Sequence, residues 1–253
     1  MHIEGMAALV TGGGSGLGAA TAAALAARGA KVAVLDLNAE KGTAVAGSIG
    51  GIFVRCDVAD AQGAEAAIAE AARAHGVARI LVNCAGIGTA ARVVGREGPM
   101  PLEAFERVIR VNLVGTFNMM RLAAAPLSLA DPLPDGGRGV IVSTASVAAF
   151  EGQIGQAAYA ASKGGIAALT LPVARELARF GVRVLTIAPG LFATPLLEEL
   201  PPEAQAALAA NIPYPPRLGA PDEFAQLVIA MIENDYLNGE VVRLDGALRM
   251  QPK

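Results

Sequence analysis

The chain is short of charge and has no cluster of it. Charged residues fill 17% of its 253 positions, with 20 Lys+Arg against 23 Asp+Glu and a formal net charge of -3. It has no basic run, and its four lysines, Lys31, Lys41, Lys163 and Lys253, are scattered. That excludes the electrostatic footprint of a nucleic-acid or anionic-membrane partner. Only two cysteines occur, Cys56 and Cys84, and neither flank shows metal-ligand spacing. Two reduced thiols in a cytoplasmic protein are expected. His2 and His75 are too few and too far apart for a zinc site, so no metal is expected. Also missing are a Pro/Ser-rich linker, a charge block and an internal repeat. At about 150 residues per domain as a prior, the chain reads as one domain over 1–253. Gly5–Ala27 carries no charge, yet Thr11-Gly12-Gly13-Gly14-Ser15-Gly16 interrupts it and makes a poor spanning helix. No signal peptide is expected either, because Glu4 stands where a basic region would be.

What the chain has is apolar residues, at 53%, enough for a sizeable core. Strands are expected at Met6–Val10, Lys31–Leu35, Ile52–Arg55, Arg79–Val82, Gly139–Ser143, Arg183–Ile187 and Glu240–Leu244. Between them, helical pattern covers Leu17–Arg28, Gly63–Ala74, Leu102–Leu129, Gln156–Phe180, Pro201–Ala210 and Pro221–Glu233. Alternating strands and helices predict parallel β–α–β units. Val140-Ile141-Val142 is apolar on both faces, as a strand covered by helices on each side must be. The expected fold is therefore α/β, with a doubly wound parallel seven-stranded sheet and helices on both faces. Ligands belong at the carboxyl ends of such strands.

Three groups of residues carry chemistry. The first is the turn Thr11–Gly18, between the first strand and the first helix. Its glycines let backbone N–H groups approach a pyrophosphate, and the helix N-terminus favours the charge. The bare Gly-x-x-x-Gly-x-Gly pattern is expected by chance roughly 0.4 times in a chain this rich in glycine, so its placement is what discriminates. The second is Asp36, at the end of the second strand, with Leu37 and no Arg beside it. A carboxylate there accepts both ribose hydroxyls of an adenosine and repels a 2′-phosphate, which favours NAD over NADP. The third is Tyr159-Ala160-Ala161-Ser162-Lys163. Positions i and i+4 share a helix face. A lysine cation beside a tyrosine favours the phenolate and is expected to lower its pKa. Such a tyrosine can exchange a proton with an alcohol or a carbonyl. Chance gives a Tyr-x-x-x-Lys roughly 0.05 times at this composition. Ser146, just after the fifth strand, can hydrogen-bond an oxygen on which charge develops. No Gly-x-Ser-x-Gly surrounds it, which disfavours a serine hydrolase.

With these residues in place, the chain resembles the short-chain dehydrogenase/reductase superfamily over nearly its whole length. Thr11–Gly18, Asp36, Asp57-Val58, Asn83-Cys84-Ala85-Gly86, Asn112, Ser146, Tyr159, Lys163 and Pro189-Gly190 stand in that superfamily's order. The resemblance implies a Rossmann fold. It implies that Gly12, Ser15, Gly16 and Leu17 line the pyrophosphate site and that Asp36 holds the adenosine ribose. Asp57 and Val58 would flank the adenine, and Cys84, Ala85 and Gly86 the nicotinamide ribose. Asn112, Ser146, Tyr159 and Lys163 match a catalytic tetrad, with Asn112 placing a water beside Lys163. Pro189, Phe192 and Thr194 resemble the nicotinamide-contacting loop.

Ala145–Gln153, Gly155–Tyr159, Ile187–Phe192 and Asn238–Ala247 are similar to the type II 3-hydroxyacyl-CoA dehydrogenases (17-beta-hydroxysteroid dehydrogenase type 10-like). Cys84, Ala247 and the long segment Gly88–Pro101 point the same way. This closer resemblance implies an acyl-CoA substrate met by Ser146, Gln153, Gln156 and Tyr159, a substrate loop at about 191–216, and a place in fatty-acid metabolism. It also implies a homotetramer, with Leu102–Leu129 and Gln156–Phe180 pairing across two-fold axes and the C-terminal strand forming a second interface. The tail Leu248–Lys253 is expected to lie across a neighbouring subunit. Two alternatives stay open: the same chemistry on a hydroxysteroid or other secondary alcohol, and a nucleotide-binding scaffold without catalysis. With so few aromatics (no Trp, three Tyr, seven Phe), an aromatic-lined steroid pocket has little support.

Overall fold

A computed structural model of the chain describes residues 1–88, 90–198 and 201–252. Glu199 and Leu200 of the expected 191–216 loop, Thr89 of the Gly88–Pro101 segment and Lys253 of the tail lie outside the described residues. The neutral stretch Gly5–Ala27 is not one helix. It divides into strand β1 (Ala7–Thr11), a glycine turn and helix α1 (Gly16–Ala27). Among the described residues no helix is long and apolar enough to cross a membrane.

The chain continues through β2 (Lys31–Asp36), α2 (Ala39–Ser48), β3 (Ile52–Arg55), α3 (Ala61–His75) and β4 (Ile80–Asn83). A short antiparallel hairpin, β5 (Val94–Gly95) and β6 (Gly98–Pro99), precedes α4 (Leu102–Ile109). A π-helical turn, Arg110–Val114, joins α4 to α5 (Gly115–Leu129). Then come β7 (Gly139–Thr144), α6 (Ala157–Leu177), β8 (Val182–Pro189), α7 (Pro195–Glu198), α8 (Pro202–Ala209), α9 (Pro221–Glu233) and β9 (Val241–Leu244).

Seven strands form one parallel sheet in the order β3-β2-β1-β4-β7-β8-β9. All seven expected strands are present, with ends shifted by at most two residues. Helices cover both faces because both faces are apolar. On one, Ala22 and Leu25 of α1 and Phe224, Val228 and Ile232 of α9 pack over Val10, Val34, Val82 and Val142. On the other, Ala67 of α3, Met119 and Ala123 of α5 and Ala174 of α6 pack over Leu9, Leu35, Leu81 and Ile141. Small side chains dominate the helix faces, so the helices sit close to the sheet.

Several features depart from the sequence expectation, the β5–β6 hairpin and α7 among them. Helix α2 was not anticipated; Asn38 caps it by accepting from the Lys41 N–H at 2.9 Å. The segment Leu102–Leu129 is not a single helix, because the π-helical turn interrupts it at Asn112. The tail is seated on its own chain: the Ile154 N–H donates to Pro252 O at 3.0 Å and Gln153 Nε2 to Gln251 O at 3.0 Å.

The sheet order reverses between β1 and β4. At that point the crossovers leave on opposite faces and open a crevice at the carboxyl ends.

Candidate active site

The glycine turn fills one side of this crevice. Thr11 ends β1, and its Oγ1 accepts from the Ala85 N–H at 3.2 Å, which ties the turn to the end of β4. Gly12 has φ +63, and a Cβ there would stand 2.8 Å from the Ala85 backbone. Gly18 is tighter: a Cβ would lie 2.1 Å from the Gly12 carbonyl oxygen. Only glycines let the chain turn this closely between β1 and α1. The first N–H groups of α1 then lie open toward a ligand.

Asp36 stands at the end of β2. Its Oδ2 accepts from the Gly14 N–H and its Oδ1 from the Asn38 N–H, each at 2.9 Å. A carboxylate has about four lone-pair sites, so each oxygen keeps acceptor capacity for the cavity it lines. That cavity, about 380 Å³, brings together Gly12, Ser15, Gly16, Leu17, Asp36, Asp57, Val58, Cys84, Ala85, Gly86 and Thr194. The remaining two nucleotide-loop residues, Pro189 and Phe192, line its neighbour. The donor set is an open helix N-terminus at one end and an acceptor carboxylate at the other, with apolar Val58 between. It suits a dinucleotide.

The neighbouring cavity, about 590 Å³, holds Ser146, Gln156, Tyr159 and Lys163. Leu17, Cys84, Gly86, Ile87 and Thr194 line both cavities, so the two are one continuous crevice. Ser146 caps a short 3-10 turn, its Oγ accepting from the Ala148 N–H at 3.2 Å. Tyr159 lies in the first turn of α6. Lys163 lies one turn on, 5% exposed, with Nζ 5.7 Å from the Tyr159 ring centroid. The same Nζ donates to Thr144 O at 2.7 Å.

The electrostatics differ from the sequence expectation. Burial raises the Tyr159 pKa, and hydrogen bonding with Ser146 only partly opposes it. The lysine does not reverse this, because its ammonium is directed at the strand-end carbonyl of Thr144. Burial also pushes Lys163 down to about 8, opposed by Cys84. The Cys84 thiol is raised to about 11 by burial, against hydrogen bonds from Thr144 and Thr21 and the charge of Lys163. It is therefore a neutral thiol at neutral pH.

Two expected site residues do not line the cavities. Asn112 is fully buried and lines neither cavity. Its Oδ1 accepts from the Ile87 N–H at 2.8 Å; its Nδ2 donates to Ile87 O at 2.9 Å and to Ser162 Oγ at 3.0 Å. It braces the segment after β4 against α6, from a π-helical turn that aims it there. Gln153 is turned away from the cavity toward the tail, while Gln156 lines it. Thr144 and Met250 are among the lining residues that were missed. Thr144, which anchors Lys163, sits at a strand end and was within reach of sequence reasoning. Met250 has no local signal at all. Among the described residues no group of His, Cys, Asp or Glu is placed to hold a metal.

The family profile described as short chain dehydrogenase matches residues 6–205. The 3-hydroxyacyl-CoA dehydrogenase type-2 of Bos taurus is 52% identical over 99% of this chain and 97% of its own. The protein of the same name from Drosophila melanogaster is 51% identical over 99% and 100%. A crystal structure of 3-hydroxyacyl-CoA dehydrogenase type-2 from Mycobacterium avium superposes with a TM-score of 0.93, at 47% identity over 98% of each chain. The matched stretch takes in the glycine turn, Ser146, Tyr159 and Lys163, and the chain belongs to the short-chain dehydrogenase family.

Proposed function

We propose that the chain, acting as one domain, is an NAD-dependent dehydrogenase that interconverts a 3-hydroxyacyl-CoA and the 3-ketoacyl-CoA. One observation carries the chemistry: a dinucleotide-shaped cavity opens directly into one that holds Ser146, Tyr159 and Lys163. The relatives' names supply the substrate class.

In this reading NAD supplies the hydride acceptor when bound. The protein does the rest. Tyr159, kept as the protonated phenol by burial, gives its proton to the ketone oxygen in reduction, its phenolate takes the hydroxyl proton in the reverse direction, and Ser146 hydrogen-bonds the same oxygen. Lys163, fixed by the Thr144 carbonyl, holds the nicotinamide ribose. Asn112 positions Ile87 and Ser162 without touching substrate. Turnover of acetoacetyl-CoA with NADH tests the reading. Turnover of a hydroxysteroid alone would favour the second substrate class, and dinucleotide binding without any turnover would favour a scaffold. Two unpaired thiols are in keeping with the cytoplasm.

The choice of NAD rests on Asp36. A carboxylate that accepts ribose hydroxyls repels a 2′-phosphate. Asp36→Ala is expected to weaken NADH binding about tenfold and to narrow its preference over NADPH, since both an acceptor and a repulsive charge are lost. Dissociation constants for both dinucleotides check this. Equal use of both by the unaltered protein contradicts it.

Assembly as a homotetramer is part of the same proposal. Val114 of the π-helical turn, Phe117 of α5 and Leu171 of α6 leave apolar surface in water. Closed two-fold pairing covers it. Light scattering should give about four times the chain mass of 25.5 kDa. A single-chain mass at micromolar concentration rejects the tetramer.

A further inference from the structure

The segment between Ser146 and Tyr159 is held from outside by the end of the chain. Arg243 of β9 is the centre of this arrangement. It donates Nη1 to Glu151 Oε1 at 2.7 Å and Nη2 to Glu151 Oε2 at 3.1 Å, a bidentate pair. Its Nε donates to Asp245 Oδ2 at 2.7 Å, and Nη2 also to Leu248 O at 3.0 Å. One guanidinium therefore joins the sheet edge, the loop between two catalytic residues and the tail. Glu151 also accepts from the Met250 N–H at 3.1 Å. Leu248 is buried at 2% exposure and anchors the return of the chain. Ordering a terminal segment costs conformational entropy at every residue, and these bonds are what offset it.

The outcome is that the Met250 side chain forms part of the catalytic cavity's wall. The polar groups at the base, Ser146, Tyr159 and Lys163, take the reacting oxygen. The acyl chain must then lie against the apolar remainder, to which Leu191, Leu197 and Met250 belong. Among the described residues, Met250 is the one lining residue drawn from the tail. Its unbranched thioether fills an irregular gap and yields to shape. Apolar walls discriminate by size: one methylene changes kcat/KM by roughly 10–200-fold.

We propose that Met250 sets the length of acyl group the catalytic cavity takes, and that the Glu151–Arg243 pair holds it in that position. This rests on the acyl-CoA reading of the site. The test is the ratio of kcat/KM for 3-ketooctanoyl-CoA to that for acetoacetyl-CoA. Met250→Ala opens the wall and is expected to raise this ratio about tenfold, chiefly through KM. Met250→Phe narrows it and is expected to lower the ratio about tenfold. Met250→Leu, close in volume, should stay within about threefold. Glu151→Gln removes the charge and one of the two acceptor oxygens, loosens the hold on Met250, and should move the ratio in the direction of the alanine variant. Ratios unchanged in both the alanine and phenylalanine variants overturn the proposal. A shift in those two but none in Glu151→Gln overturns the role given to the ion pair. Failure of the unaltered protein to turn over either thioester overturns the acyl-CoA reading and this inference with it, a result distinct from the other two.

Discussion

Replacing Tyr159 by Phe is expected to lower the turnover of acetoacetyl-CoA by about a thousandfold while NADH affinity stays within a few-fold. The substitution removes one hydroxyl. General acid–base catalysis by a positioned group contributes roughly 10²–10⁴-fold, and no other side chain at the base of this cavity can take over. Ser146 is an alcohol whose Oγ is engaged as a cap acceptor. Lys163 is held on the Thr144 carbonyl and stands 5.7 Å from the ring centre. The ring itself remains, so the wall of α6 and the placement of Lys163 are preserved. Steady-state kcat and a calorimetric titration with NADH separate the two effects. A variant that keeps more than a tenth of the original kcat would remove Tyr159 from the proton transfer.

Gly18→Ala is expected to abolish usable dinucleotide binding, with the NADH dissociation constant rising by about 100-fold, or about 2.7 kcal/mol. A methyl group at this position meets the Gly12 carbonyl oxygen at 2.1 Å, well inside contact distance. The turn cannot retreat, because Gly12 is already pressed against the Ala85 backbone. The N-terminus of α1 must therefore swing away, taking its N–H groups off the pyrophosphate. Overpacking of this kind costs about 1–3 kcal/mol of stability, which for a chain of this size lowers Tm by about 2–12 °C. Gly47→Ala is the control. It lies in α2 with nothing within 4 Å of its added Cβ, so binding and Tm should both hold. Normal NADH affinity in the Gly18 variant would mean that the turn does not bind the pyrophosphate.

The features legible in the sequence are those whose physics is local. The seven strands announce themselves as short apolar runs, and the Tyr159–Lys163 pair follows from helix geometry alone. The glycine turn is readable once it is placed between β1 and α1. Helix α2 escaped because Ala39–Ser48 carries Gly42 and Gly47 and looks like a loop. Gly42 is there because a Cβ would press on the Phe53 ring at 2.4 Å, a contact with another element. The π-helical turn at Asn112 escaped for a related reason. One added residue per turn barely disturbs the apolar period, and the benefit lies in bonds to Ile87 and Ser162, 25 and 50 residues away. The tail's hold on its own chain was not legible, because its partner, Glu151, is 99 residues from Met250. The lowered tyrosine pKa was a two-body inference, and burial, which is collective, outweighs it.

The placement of β4 beside β1 has a consequence for the order of events during synthesis. The strands pair in register, Thr11 opposite Asn83, and the glycine turn meets Cys84–Gly86 across that seam. While β1, β2 and β3 emerge, the glycine turn has no floor, because Cys84–Gly86 has not yet been made. A nascent chain that has exposed its first three strands therefore cannot capture a dinucleotide. A cofactor that needs both strands binds only after β1 and β4 have paired, and long-range parallel pairing is intrinsically slow. Its contribution is to the finished sheet, whose unfolding it suppresses by mass action. Cells depleted of dinucleotide should thus make this protein at an ordinary rate and lose it faster.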